Sequence, residues 1–199
     1  MPIQDWNGTT ASEIKTLQDW DGTAAHKIGK VDDWDGTANH LIYSAEENIL
    51  SKFSASDYYA PNGSYQAASI NSDGSLQFNA TEYILRNIWT PAIDLSQWNT
   101  LTITYAVTKS TANSGNNAQR GITIMANATN VMSWSIESPN TAYSAYFKYV
   151  YGNDQVTAGK TYTQTVDISS WTGNQKIGLS VLCGAGNTLT LKVTSVILS

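Results

Sequence analysis

One cysteine in 199 residues, Cys183, leaves no partner for an intrachain disulfide. Its place in the apolar run KIGLSVLCGAG marks it as a small core residue. Charge is scarce too: 14% of the residues are Asp, Glu, Lys or Arg, and the formal net charge is −5. No basic run exists, which argues against nucleic acid as a partner, because that binding rests on clustered Lys and Arg. No apolar run approaches the ~20 residues of a bilayer-spanning helix, so no membrane insertion is expected. The opening MPIQDWNG has neither the basic stretch nor the apolar core of a secretory signal. The expectation is a chain made in a cytoplasm without Sec export and, if it acts outside a cell, released by lysis or on a particle.

Thr, Ser, Asn and Gly fill the space left by charge, and aromatics reach 11%. That mixture suits an all-β surface protein better than a helical enzyme. Apolar residues make up 41% of the chain, enough for one packed domain with an attachment or for two small domains. The acidity is uneven: residues 1–44 hold three Lys against seven Asp/Glu, the rest eight Lys/Arg against nine Asp/Glu.

The acidic segment is a repeat. IQDWNGTTASEIKT (3–16), LQDWDGTAAHKIGK (17–30) and VDDWDGTANHLIYS (31–44) align at a period of fourteen. Trp6, Trp20 and Trp34 fall in register, as do Ile14, Ile28 and Ile42. Two heptads would also give fourteen, but Asn-Gly or Asp-Gly interrupts every copy, and Gly costs about 1 kcal/mol inside a helix. Each copy therefore reads as an extended segment closed by a tight turn, since these dipeptides supply the positive-φ residues that turns need. The spacing of Ile14, Leu17 and Trp20 fits neither strict alternation nor a helical stripe, which predicts short, irregular strands. Three such units bury little alone and call for a partner surface, in this chain or another.

SAEENILSKF (44–53) reads as a short helical connector, with Ser44 and Glu47 spaced as a capping box. From about residue 54 the pattern becomes strand and turn: GSLQFNAT, EYILRNIW, NTLTITYAVTKS, RGITIMANA, VMSWSIES, AYFKYVYG, KTYTQTVDI, QKIGLSVLC and TLTLKVTSVIL. Eight or nine such strands predict a two-sheet sandwich. Within it, AIDLSQW and TVDISSW repeat Asp-apolar-Ser-x-Trp ahead of a strand. Trp98 and Trp171 then read as caps of the core or, alternatively, as sugar platforms.

DWDGT resembles the nucleophile motif of haloacid-dehalogenase phosphatases, but that motif ends a buried parallel strand, and the preceding MPIQ, KTLQ and GKVD are too polar for one. Copy one also carries Asn7 in place of the second Asp, and no βαβ region follows. As a calcium loop the motif supplies two carboxylates but no later bidentate Glu: Glu13 in copy one is matched by Lys27 and Leu41. Ca²⁺ stays open, beside the simpler reading of Asx-turns; no other cofactor is expected. His26 and His40, with no cysteine nearby, make a poor zinc set, and no nucleophile elbow is present to complete a triad. Glu82 and Glu137 could face each other as glycosidase carboxylates, though no feature requires it. The chain is therefore expected not to be an enzyme.

Aromatic and amide-rich strands remain. Trp89, Trp134, Tyr143, Tyr146, Tyr149 and Tyr151 lie in or beside strands, and sugars bind by stacking on rings while polar groups take their hydroxyls. The candidate carbohydrate-binding set is Trp134, Tyr146, Tyr149, Tyr151, Arg120 and Glu137. Alternation puts Phe147, Tyr149 and Tyr151 on one face, with Phe147 anchoring it inward, and Tyr146, Lys148 and Val150 on the other. Core or interface packing is the competing explanation for each.

The tandem DWDGTA-x-H-x-IGKV units, closing in DWDGTANHLIYSAEE, resemble segments of tail, baseplate or head-fibre proteins of phages that infect Gram-positive bacteria. VDISSW, KIGLSV and NTLTLKVTSVIL resemble the jelly-roll carbohydrate-binding modules often appended to such proteins. The resemblance implies a virion structural protein. Its repeats (1–44, with Trp6, Trp20, Trp34, Ile14, Ile28 and Ile42) would attach to other virion proteins or to copies of itself. After a connector (45–53), an all-β jelly-roll sandwich (54–199) would meet host cell-wall polysaccharide. A purely structural or decoration protein, and a polysaccharide-degrading enzyme, are the alternatives.

Overall fold

The computed structural model describes residues 46–58, 60, 65–81, 84–111, 120–127, 146–151, 156–184 and 186–199, and six short strands before them. The chain divides into two compact units, 1–47 and 48–198, with Ser199 grouped with the first.

In the first unit each fourteen-residue copy is one antiparallel hairpin. β1 (Gln4–Trp6) pairs with β2 (Ala11–Glu13), β3 (Leu17–Trp20) with β4 (Ala25–Ile28), and β5 (Lys30–Trp34) with β6 (Asn39–Ser44). The register repeats with the sequence. Trp6 pairs with Ala11, Trp20 with Ala25 and Trp34 with Asn39, so each Trp closes its strand beside the Asn-Gly or Asp-Gly loop. Ile28 pairs with Leu17. In the third copy Val31 pairs with Tyr43 and Asp32 with Leu41, which leaves Ile42 as the extra residue of a bulge. Ile14 lies outside the described residues.

The expected helix over 44–53 does not form. Ser44 ends β6, a two-residue strand β7 (Glu47–Asn48) follows, and only a 3-10 turn remains at Leu50–Lys52. The strand wins because Ile49 donates its N–H to Val196 O and is fully buried, anchoring the segment as an extension of a sheet. Asn48 Oδ1, not Ser44, accepts the Leu50 N–H, at 3.1 Å.

The second unit is an all-β sandwich. Its strands are β8 (Tyr65–Ala67), β9 (Ser69–Ile70), β10 (Leu76–Thr81), β11 (Leu85–Asp94), β12 (Thr100–Thr111), β13 (Arg120–Asn127), β14 (Tyr146–Tyr151), β15 (Thr161–Asp167), β16 (Asn174–Cys183) and β17 (Thr188–Leu198). One sheet runs β15-β12-β17-β10-β9, with β7 also on β17; the other runs β14-β13-β16-β11-β8. From β10 onward most successive strands alternate between the sheets, β13–β14 being neighbours within one. This interleaving, with four strands in each sheet from β10 onward, is jelly-roll topology. Several strands are long: β11 and β16 have 10 residues, β17 has 11 and β12 has 12.

Alternation writes the core. Leu101, Ile103, Tyr105 and Val107 of β12, Leu189, Leu191 and Val193 of β17, and Leu76, Phe78 and Ala80 of β10 are buried from one sheet. Ile122, Ile124, Ile177, Leu179 and Val181 are buried from the other. Cys183 fixes which side faces inward, since its Sγ–H reaches Ala80 O of the opposite sheet at 3.6 Å. Burial pushes that thiol up to about 12, so it is an unreactive core group.

β11 runs through Pro91. A bulge between Trp89 and Ala92 absorbs the proline. Thr90 Oγ1 accepts the Ile177 N–H at 3.0 Å, so the ladder donor that faces the irregularity is satisfied. Among the described residues no helix is long and apolar enough to cross a membrane.

Candidate functional site

The two sheets present different outer faces. On the β12 sheet the face is a threonine lattice: Thr102 and Thr165 hydroxyls lie 2.8 Å apart, Thr104 and Thr163 3.1 Å apart, and Thr111 bonds Thr188. These hydroxyls satisfy one another and face solvent, as half-exposed strands require.

The outer face of the β16 sheet is built otherwise. Residues Ile177 to Cys183 are buried without a break, so side chains on both faces of β16 are covered. Away from the core this sheet carries two rows. Asn87 pairs with Ser180, and Ser180 with Thr123, giving a row of one amide and two hydroxyls, all buried. The next row is Trp89, Gly178 and Met125.

Trp89 holds this floor together. It is fully buried, and its Nε1–H donates to Asn87 Oδ1 at 3.1 Å. Its indole lies on the backbone of Gly178, where a Cβ would stand 2.7 Å from three ring atoms. Gly178 thus has a packing reason, close approach of a ring to a strand, rather than a turn. The backbone of Trp89 is held as well: its N–H donates to Asp57 O, and its carbonyl accepts the Ser54 N–H. Asp57 in turn bonds Lys176 Nζ at 2.9 Å.

The sequence candidates distribute around this floor as follows. Tyr149 pairs with Thr123, Tyr151 with Gly121 and Phe147 with Met125, so the register of β14 continues the two non-core rows. Phe147 shares the register parity of Tyr149 and Tyr151, and the expected inward anchoring of its side chain lies outside what is described. Tyr146 pairs with Ala126, on the core lane, and is separated from Tyr149 and Tyr151. Arg120 pairs with Cys183, also on the core lane, and its Nη1 donates to Ser110 Oγ of β12 at 2.5 Å. That bond links the two sheets. Trp134 and Glu137 lie outside the described residues, as do Tyr143 and Glu82. Trp89, one of the possible platforms, is closed to solvent. Asn87, Ser180 and Gly178 were missed because no motif marks them; only cross-strand register assembles them.

The Asp-x-Ser-x-Trp echo resolves into paired turns. Asp94 Oδ1 accepts the Ser96 N–H at 3.0 Å, and Asp167 Oδ1 accepts the Ser169 N–H at 2.9 Å. The Trp98 N–H reaches Leu95 O and the Trp171 N–H reaches Ile168 O. The turns interlock, Leu95 N–H to Gly173 O, Ile168 N–H to Asn99 O, and Gly173 N–H to Ser96 Oγ. Trp98 and Trp171 are 2% and 1% exposed. They cap the core and are not sugar platforms. The backbone and hydroxyl hydrogen bonds of Ser96 hold the Asp94 carboxyl below the ordinary carboxylate range.

A surface hollow of about 360 Å³ is lined by Asn48, Leu50, Ser51, Asp73 and Gly74. Its one charge, Asp73, is bound by Lys192 Nζ at 2.6 Å, which leaves no acid–base pair there. Among the described residues no three His, Cys, Asp or Glu side chains gather as a metal-ligand group. Of the calcium-motif positions, Asp5, Asp19 and Asp33 stand in β1, β3 and β5, and Asn7, Asp21 and Asp35 lie outside the described residues. The chain matches no model of a known protein family, and no curated protein matches it.

Proposed function

We propose that this is a phage virion structural protein whose sandwich binds host cell-wall glycan and whose DWDGT hairpins attach it to the particle or to copies of itself. One observation carries the glycan reading. The non-core face of the β16 sheet runs Asn87, Ser180, Thr123 and then Tyr149, with Tyr151 beside it, so small polar groups lead to an aromatic strand in consecutive register. Sugar recognition uses that pairing of hydrogen-bonding groups with aromatic surface. The floor is closed at Asn87 and Trp89, so sugar would engage the β14 side of the face. The hairpins support attachment because three near-identical units present the same Trp position in the same register.

Calorimetric titration of the full chain with purified Gram-positive wall polysaccharide tests this. Wild type is expected to bind at millimolar sugar or below, and Tyr149→Ala and Tyr151→Ala to weaken binding at least about tenfold with the melting temperature kept. Wild-type binding that both substitutions leave intact would remove the site, and no binding by a folded chain would remove the adhesion role. A purely structural virion protein is the second reading. Burial of Asn87, Trp89, Thr123 and Ser180 favours it, since that part of the face is already packed.

A further inference from the structure

We infer that Tyr58 is the platform of a second sugar subsite, which takes an uncharged stretch of the wall polysaccharide, a role that rests on the glycan reading above. Among the described side chains Tyr58 is the one exposed aromatic, at 41%, whereas Trp89, Trp98 and Trp171 are closed to solvent. Its hydroxyl has no hydrogen-bond partner among the described residues. A single exposed ring needs no explanation by itself, but this one is held in place. Ser54 N–H donates to Trp89 O, Trp89 N–H donates to Asp57 O, and Asp57 N–H closes a turn on Ser54 O. Both ends of 54–57 are thereby tied to one residue of β11, and Lys176 Nζ adds an ion pair to Asp57 at 2.9 Å. Tyr58 leaves from the end of this clamp, so stacking on its ring requires little further ordering of the backbone.

Register puts the clamp on the face that carries the aromatic strand. Lys176 stands in β16 at the parity of Gly178 and Ser180 and pairs with Asn127 of β13, the row that follows Trp89, Gly178 and Met125. The position of Tyr149 lies two non-core rows along and two strands across from Lys176, roughly 17 Å at ordinary sheet spacings. A polymer covers that distance and a single sugar does not. The chemistry beside Tyr58 fits hydroxyls. The Lys176 ammonium has more N–H donors than the Asp57 carboxylate uses, and its side chain is 28% exposed. Its charge is already matched by Asp57, and that carboxylate repels an anionic polymer. No apolar surround marks a peptide anchor: Ser54 and Ser56 precede the ring, and the other exposed large apolar side chain among the described residues, Ile70, is in the other sheet. A fixed ring beside polar donors is what a sugar's C–H face and hydroxyls require.

Calorimetric titration of full-length variants with purified Gram-positive wall polysaccharide tests the subsite. Tyr58→Ala is expected to weaken binding at least about fivefold, and Tyr58→Phe, which keeps the ring, by less than about twofold, both at the wild-type melting temperature. Wild-type binding should persist in molar salt, because no net charge is engaged. In the wild-type chain, saturating polysaccharide should also shift the amide resonances of Tyr58 and Lys176 beside those of β14, a readout that does not depend on any variant folding. Affinity that Tyr149→Ala weakens and Tyr58→Ala leaves intact overturns the subsite while the glycan reading stands, as do Tyr58 and Lys176 amides unmoved at saturation. Equal losses in the Ala and Phe variants overturn the stacking role, and binding abolished by salt overturns the uncharged ligand. No binding by folded wild type removes both the subsite and the glycan reading.

Discussion

Gly178 has no side chain because an indole occupies the place of one. A methyl added there would stand 2.7 Å from the Trp89 ring, and that ring is fully buried and held through Asn87, so it cannot step aside. Gly178→Ala is expected to destabilise the fold by about 1–3 kcal/mol, the ordinary cost of overpacking, read as a lowered midpoint in chemical denaturation. An unchanged midpoint would show that the indole is free to slide. The sequence displayed little of this. In KIGLSVLC the small residues Gly178 and Ser180 alternate with Ile177, Leu179 and Val181 as if they faced water. Their burial depends on Trp89, Thr123 and Met125, brought in from strands far along the chain. Trp98 and Trp171 were legible for the opposite reason, since the Asp and Ser that build each turn stand within four residues of the Trp they position.

Among the elements, the β9–β10 connection shows how a surface charge pair serves a strand. Lys192 of β17, above all, and the hydroxyl and N–H of Ser75 hold the Asp73 carboxyl well below the usual carboxylate range. A depressed carboxyl stabilises the folded state above its unfolded value, near 4, and that contribution is lost as the pH falls further. Asp73→Asn should therefore be slightly less stable than wild type at neutral pH and have a flatter acid limb, so that the two proteins converge as the pH falls below about 4. Because Asp73 is exposed and Lys192 partly so, added salt should shrink the difference between variant and wild type. An acid limb identical in the two proteins would assign the acid sensitivity elsewhere. Element type was readable wherever turn chemistry is local: the Asn-Gly and Asp-Gly loops announced three hairpins. It was not readable at Pro91, where a bulge carries the strand on and Thr90 Oγ1 accepts the Ile177 N–H, nor over 48–53, where Ile49 donates its N–H to Val196 O instead of continuing a helix.

On the scale of the whole molecule, two compact units divide the sequence features between them. The acidic hairpins repeat one Trp register three times. The sandwich separates a solvated threonine face from a face of amide, hydroxyl and aromatic positions. On the proposed reading, association of copies through the hairpins would let weak sugar contacts on each sandwich add by avidity. The sandwich was legible from alternating, Thr-rich strands, but its candidate site was only half so. Tyr149 and Tyr151 stand out in AYFKYVYG, whereas the row that Tyr149 joins exists only across β11, β16 and β13. Amide chemical-shift mapping of the full chain, titrated with Gram-positive wall polysaccharide, tests the glycan-binding claim most directly. The account predicts perturbations concentrated on β14 and its neighbours in register, Gly121, Thr123 and Ser180. Perturbations confined to the threonine face of β12 and β15, or none at saturating polysaccharide, would contradict it.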